Sequence, residues 1–186
     1  MKIILMRHGQ TDCNRDGIWM GRRLDVSINE VGIEQIKETI PELKSLNPEL
    51  IISSPMKRTK ESAEIIQRLL GIPLEFDDRI VEIDIGSLSG KSREEAATFL
   101  SLSIEEAIHL YRIGEYDYTS LGGESFQHIL DRTQSFLKDL SQRKERCVVV
   151  MAHGGLVRSL HRVITGSVSL VNEGVANAAL IVLEYA

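Results

Sequence analysis

Residues 147–155 read CVVVMAHGG, a β-branched apolar run that stops at Ala152 and gives way at once to a histidine and two glycines. A strand covered on both faces needs no polar alternation, so this stretch predicts an internal strand of an α/β sheet that ends in a loop carrying polar side chains. The pattern recurs. Ile3 to Met6 ends at Arg7, His8 and Gly9, and LIISS at 50–54 ends in serines. ALIVLEY at 179–185 can be read as a further central strand.

Helical periodicity fills the intervals. Ile33, Ile36, Ile40 and Leu43 share a stripe behind an Asn29 cap, with Pro41 expected to kink or interrupt the helix. Ser54 and Pro55 read as cap and first turn of a helix that buries Ala63, Ile66 and Leu70 and stops at Gly71. Phe126, Ile129, Leu130, Thr133, Phe136, Leu137 and Leu140 give the cleanest amphipathic helix, and Leu156, Leu160, Val163 and Ile164 mark another after Gly154. An excursion at about 87–122 holds two short helices introduced by the capping boxes Ser92-x-x-Glu95 and Ser103-x-x-Glu106. This order predicts an α/β three-layer sandwich, with a mainly parallel central sheet and helices on both faces. One domain is expected over 1–186, with the excursion as its helical cap.

Composition narrows the function classes. Of 186 residues 42% are hydrophobic and 26% charged, with only 4 prolines, which is not the composition of a disordered or fibrous chain. The formal charge of -5 speaks against a broad nucleic-acid or anionic-membrane footprint, while leaving room for a local anion pocket. Cys13 and Cys147 are too few for a disulfide scaffold, and each reads as an inert small thiol. The first residues lack the hydrophobic region of a signal peptide, and a cytoplasmic setting is expected.

In an open α/β sheet, ligand chemistry gathers at the carboxyl ends of the strands. Three such ends carry Arg7-His8-Gly9, Ser53-Ser54 leading to Arg58, and His153-Gly154-Gly155. Glycines let backbone and ligand approach closely, and Arg7 and Arg58 can hold an anion through several charge-assisted hydrogen bonds. This reading does not choose between His8 and His153 as a nucleophile.

LMRHGQT at 5–11 resembles the signature of the histidine phosphatase superfamily, which includes the cofactor-dependent phosphoglycerate mutases. The resemblance continues in family order through Asn14, the Gly21 and Asp25 region, SSPMKRTKESA at 53–63, EIDIG at 82–86, GGES at 122–125 and AHGG at 152–155. It implies His8 as the phosphate-accepting nucleophile, with Arg7, Asn14, Arg58 and His153 in the phosphate pocket. Glu82 would be the general acid and base, and Gln10 a weaker contact. On this reading a neutral His8 attacks phosphorus while Arg7, Arg58 and a protonated His153 neutralise the phosphoryl oxygens. No cofactor and no metal are expected, since HExxH, EF-hand and paired Cys-x-x-Cys patterns are missing.

The shared phosphohistidine step does not separate hydrolysis from transfer. Over 87–121 the basic residues Lys91, Arg93 and Arg112 stand against Glu94, Glu95, Glu105, Glu106, Glu115 and Asp117, a balance that favours a phosphatase over a mutase. Arg15, Arg22 and Arg23 in the first loop could serve a second anionic group. Leu88 stands where the family often has an aromatic residue, which weakens any particular substrate label. The expectation is hydrolysis of a small phosphorylated metabolite, with no nucleic acid or membrane partner and a homodimer left open. Phosphoglycerate mutase and a non-catalytic phosphate or phosphoprotein-binding module are the alternatives.

Overall fold

The computed structural model describes residues 1–113, 116–170 and 174–185. Chain order runs β1 (Lys2–Arg7), α1 (Asp12–Arg15), α2 (Glu30–Glu38), α3 (Ile40–Leu46), β2 (Leu50–Ser53), α4 (Lys57–Leu70), β3 (Leu74–Phe76), α5 (Arg93–Leu100), α6 (Ile104–Ile113), α7 (Phe126–Leu140), β4 (Cys147–Ala152), α8 (Gly154–Thr165) and β5 (Leu180–Glu184). The sheet order is β3-β2-β4-β1-β5, with every pairing parallel except that of β1 with β5.

Alternate residues of the central strands feed two hydrophobic clusters, as the two-residue period of a strand requires. Ile3, Leu5, Val148 and Val150 pack with Phe136 and Leu140 of α7 and Leu156 and Leu160 of α8. Ile4, Met6, Val149 and Met151 pack with Ile36 of α2, Leu43 of α3 and Ala63 and Ile66 of α4. Helices thus cover both faces of a mostly parallel sheet. Ala96 of α5, Ala107 of α6 and Tyr118 join the first cluster, so the excursion is seated on the sheet side that carries α7 and α8. Both of its capping boxes form: Ser92 Oγ accepts from Glu95 N at 3.2 Å, and Ser103 Oγ from Glu106 N at 3.2 Å. Residues 114–115 of the excursion, Glu115 among them, lie outside the described residues.

Three local expectations change. The 179–185 run forms an antiparallel edge strand rather than a central one, and Val182 on it is 41% exposed. β3 was not expected, because three residues following Pro73 give no periodicity to read. Helix α4 starts at Lys57 behind Met56, and Ser54 Oγ instead accepts from Met56 N at 3.3 Å in a turn before the helix. Pro41 interrupts its helix as anticipated, ending α2 and sitting in the first turn of α3.

Two places bring backbone against backbone. A Cβ at Gly9 would collide with the Gly32 carbonyl oxygen, and one at Gly32 with the Gln10 carbonyl oxygen. Likewise a Cβ at Gly86 would strike the Leu121 carbonyl oxygen, and one at Gly123 the Asp84 carbonyl oxygen.

Candidate active site

The parallel register sets Arg7 opposite Ala152 and Ser53 opposite Met151. His8 N continues the ladder to Ala152 O at 3.1 Å, and Ser54 N to Met151 O at 3.0 Å. His8, Ser54 and His153 therefore leave the sheet side by side, with the two imidazole rings edge-on and their centroids 5.4 Å apart. His8 borders a cavity of about 360 Å³, which Ser54 and His153 do not line. Its strand-end wall holds Arg7, His8, Asn14, Arg58 and Glu82; its cap wall holds Trp19, Arg93, Tyr111, Arg112 and Arg158.

His8 is 1% exposed, and its Nδ1 lies 2.7 Å from the Gly9 carbonyl oxygen. A carbonyl only accepts, so Nδ1 carries the proton and Nε2 keeps its lone pair. Burial pushes the His8 pKa well below the ordinary histidine value, and the charges of Arg7 and Arg58 act in the same direction. The ring is neutral, with an oriented lone pair.

His153 differs. Arg58 Nε donates to His153 Nδ1 at 3.1 Å, which leaves Nε2 to carry the proton and donate to Ser54 Oγ at 2.9 Å. Burial first, and then the Arg58 charge, hold its pKa well below the ordinary value. The expected protonated His153 is thus corrected to a neutral ring engaged through both nitrogens, because a cationic ring could not accept from Arg58. Arg58 is itself 1% exposed, with Nη1 donating to Leu24 O at 2.9 Å and Nη2 to Gly21 O at 3.0 Å. Those bonds bind the first loop and leave the second hydrogens of Nη1 and Nη2 for a ligand.

Arg7 Nη1 donates to Val175 O at 2.6 Å, while its Nε is buried with no acceptor among the described residues. A buried unpaired donor costs free energy unless a ligand completes it. Asn14 Oδ1 accepts from Thr11 N at 3.2 Å and Asn177 Nδ2 at 3.0 Å, which leaves the Asn14 amide hydrogens as the group it can offer the cavity. Asn177 also donates to His8 O at 3.1 Å and so ties both together. Glu82 is 5% exposed, and its carboxylate accepts from Ile83 N at 3.0 Å and Gly155 N at 3.3 Å. Gly155 makes that approach feasible, since a Cβ there would lie 2.5 Å from Glu82 Oε1.

The other expected contacts do not line the cavity. Gln10 is tied to Asn29 Nδ2 at 3.1 Å and Gln35 Oε1 at 3.0 Å. Arg15 is an exposed partner of Asp12 and Asp16. Arg22 and Arg23 both reach Asp84, at 3.5 and 2.7 Å, and Arg23 Nη2 also donates to Gly122 O. They latch the first loop to the segment after Glu82 instead of waiting for a substrate.

Arg158 was missed, and it lines the cavity. It is 9% exposed, its Nη2 donates to Tyr111 O at 3.3 Å, and its Nε is buried without an acceptor among the described residues. Its guanidinium carbon lies 5.6 Å from the centre of the Tyr111 ring, which stacks on Trp19 at 4.7 Å. One signal could have found it: Arg158 is four residues beyond Gly154, hence on the same face of α8. Among the described residues the cavity wall carries five arginines and one acid, Glu82. Among the described residues of 87–121 no acid lines the cavity, whereas Arg93 and Arg112 do. Among the described residues no group of three or more His, Cys, Asp or Glu is placed to hold a metal ion.

Comparison with known proteins agrees with this geometry. Residues 3–186 match the model of the histidine phosphatase superfamily (branch 1). A probable phosphatase of Schizosaccharomyces pombe is 32% identical over 164 residues, covering 86% of this chain and 71% of that one. A 2,3-bisphosphoglycerate-dependent phosphoglycerate mutase of a Chelativorans species is 32% identical over 172 residues, covering 88% of this chain and 81% of the mutase. A mycobacterial glucosyl-3-phosphoglycerate phosphatase, solved with VO3, superposes with a TM-score of 0.82 at 25% identity, over 98% of this chain and 90% of its own.

Proposed function

The chain belongs to the histidine phosphatase superfamily, branch 1, and from that premise we propose that it hydrolyses a small phosphomonoester through a phosphohistidine at His8. The observation that carries this reading is the neutral His8 ring, anchored by Nδ1 on the Gly9 carbonyl at 2.7 Å and set in one cavity with Arg7, Arg58 and Glu82.

In the first step the Nε2 lone pair attacks phosphorus, the bond from phosphorus to the ester oxygen breaks, and that oxygen takes a proton from Glu82. The spare N–H groups of Arg7, Arg58 and Asn14 hold the equatorial oxygens as charge spreads over them. His153 stays neutral and keeps the Arg58 fork in place. In the second step Glu82 removes a proton from water, whose oxygen attacks phosphorus and breaks the N–P bond. Inorganic phosphate leaves and His8 is restored.

Rapid quenching without acid, followed by peptide mapping, should find an acid-labile phosphoryl group on His8; a phosphoryl group mapped to His153 overturns the assignment. A panel of phosphomonoesters identifies the substrate. A second reading, phosphoglycerate mutase, is favoured by the guanidinium groups of the cap wall, which suit a substrate with a second anionic group. Interconversion of 2- and 3-phosphoglycerate, assayed separately, decides between the two. Turnover in neither assay, with phosphate still bound, would instead support a binding module.

A further inference from the structure

Residues 81–85, which carry Glu82, belong to neither sheet nor helix. No strand ladder fixes this backbone, yet an acid that must reach a leaving-group oxygen has little positional latitude. An ion pair supplies the constraint. Arg132 of α7 donates through Nη1 to the carbonyl oxygens of Arg79 at 2.6 Å and Val81 at 2.8 Å. Its Nε and Nη2 donate to the two carboxylate oxygens of Glu124 at 2.7 and 3.1 Å. Glu124 in turn accepts from Asp84 N at 3.2 Å and donates its own N–H to Asp84 O at 2.8 Å. The pair therefore grips the backbone on both sides of Glu82.

We infer that the Arg132–Glu124 pair is the positioning element of Glu82. Arg132 is 8% and Glu124 5% exposed. Burying such a pair is a poor way to gain stability, since desolvation offsets most of the attraction. Its geometry explains its presence better: the planar guanidinium fork makes four bonds at once, to two carbonyls and both oxygens of a carboxylate, one more than the three donors of an ammonium allow. Because Glu124 lies on the return from the cap excursion, the same pair fixes the acid relative to the cap.

The inference rests on Glu82 being the leaving-group acid, so the experiment reads Glu82 first. Phosphohistidine formation is measured in single turnovers with an alkyl phosphate, whose leaving group needs a proton, and with 4-nitrophenyl phosphate, whose leaving group does not. Glu82→Gln should slow the alkyl ester by about 10²–10⁴-fold and the nitrophenyl ester far less. Arg132→Lys, which keeps the charge and loses the fork, should show the same selectivity with an alkyl loss of roughly 10²-fold. Added to Glu82→Gln, it should cost the alkyl ester nothing more. An intact nitrophenyl rate certifies a folded phosphate pocket; should Arg132→Lys not fold, the paired Glu124→Gln/Arg132→Gln variant, which buries no lone charge, takes its place. Equal losses on both esters, or full additivity with Glu82→Gln, overturn the inference. If Glu82→Gln itself fails to distinguish the esters, the acid assignment falls and takes the inference with it, before any Arg132 variant is needed.

Discussion

The strand-end wall of the cavity takes Arg7 and His8 from the end of β1 and Gly154 from just beyond β4, two paired strands that a single backbone register aligns. The cap wall gathers Trp19 from the first loop, Tyr111 from α6 and Arg158 from α8, elements that meet only through tertiary packing. At the strand ends hydrogen bonds set the tautomers of both histidines, and the donors left over face the cavity. On the cap wall Trp19, Tyr111 and Arg158 are joined by a stack, a cation over a ring and one long hydrogen bond. On the function proposed above, the chemistry common to many substrates belongs to the first wall and choice among substrates to the second.

Removing His8 should separate the walls most sharply. His8→Ala is expected to lower turnover by on the order of 10⁴–10⁶-fold on every ester, whatever its leaving group, with phosphoenzyme lost in the same measurement. Residual turnover through a phosphoryl group elsewhere would end the assignment of the nucleophile to this wall.

Arg158→Gln should act selectively. With 3-phosphoglycerate the loss in kcat/KM should be about 10–100-fold, the worth of a charge-assisted hydrogen bond. Glycerol 3-phosphate, in which a hydroxymethyl group replaces the carboxylate, should change little. The same loss on both would move Arg158 to the phosphoryl group and erase the division between the walls.

Acid should weaken the strand-end wall first. His8 and His153 are held neutral in the folded chain by burial and by neighbouring arginines, so below the ordinary histidine value the unfolded chain binds protons that the native one does not. Stability is therefore unaffected at higher pH and falls as pH drops below about 6.5, by up to about 1.4 kcal/mol per pH unit for each histidine. Denaturant titrations between pH 7 and 5.5 should show this slope, and His153→Gln should flatten it; an unchanged slope would place the acid sensitivity elsewhere. The smallest expected effect is none. Prolonged EDTA treatment should leave most activity intact, because guanidinium groups line the phosphate end, and loss restored by one added metal would show a missing ion.

The two walls were unequally legible in the sequence. Arg7, His8 and His153 stand beside apolar runs and glycines, so period and punctuation alone place them at strand ends, and the cap helices announce themselves by their capping boxes. Arg158 sits inside an amphipathic helix among residues that read as core, and Tyr111 in a segment whose acids dominate the charge count. Arg22 and Arg23 misled because their partner, Asp84, is remote in sequence. The neutrality of His153 depends on burial and on an Arg58 contact, both of which only folding creates. An apolar run likewise does not say whether it will be central or, like β5, paired on one side.

The paired glycines at 9 and 32, and at 86 and 123, shape which sequences the chain can explore. In each pair the nearest obstacle to a side chain is a carbonyl oxygen of the opposing backbone. A change at one position therefore cannot be rescued by shrinking its partner, which has nothing left to lose. Such positions drift neither singly nor together: across related sequences they should be constant without covarying, invisible to contact inference by correlated substitution. One crossing adjoins His8 and the other follows Glu82, so the lineage can revise its cap wall by single steps while the seats of His8 and Glu82 stay closed to revision.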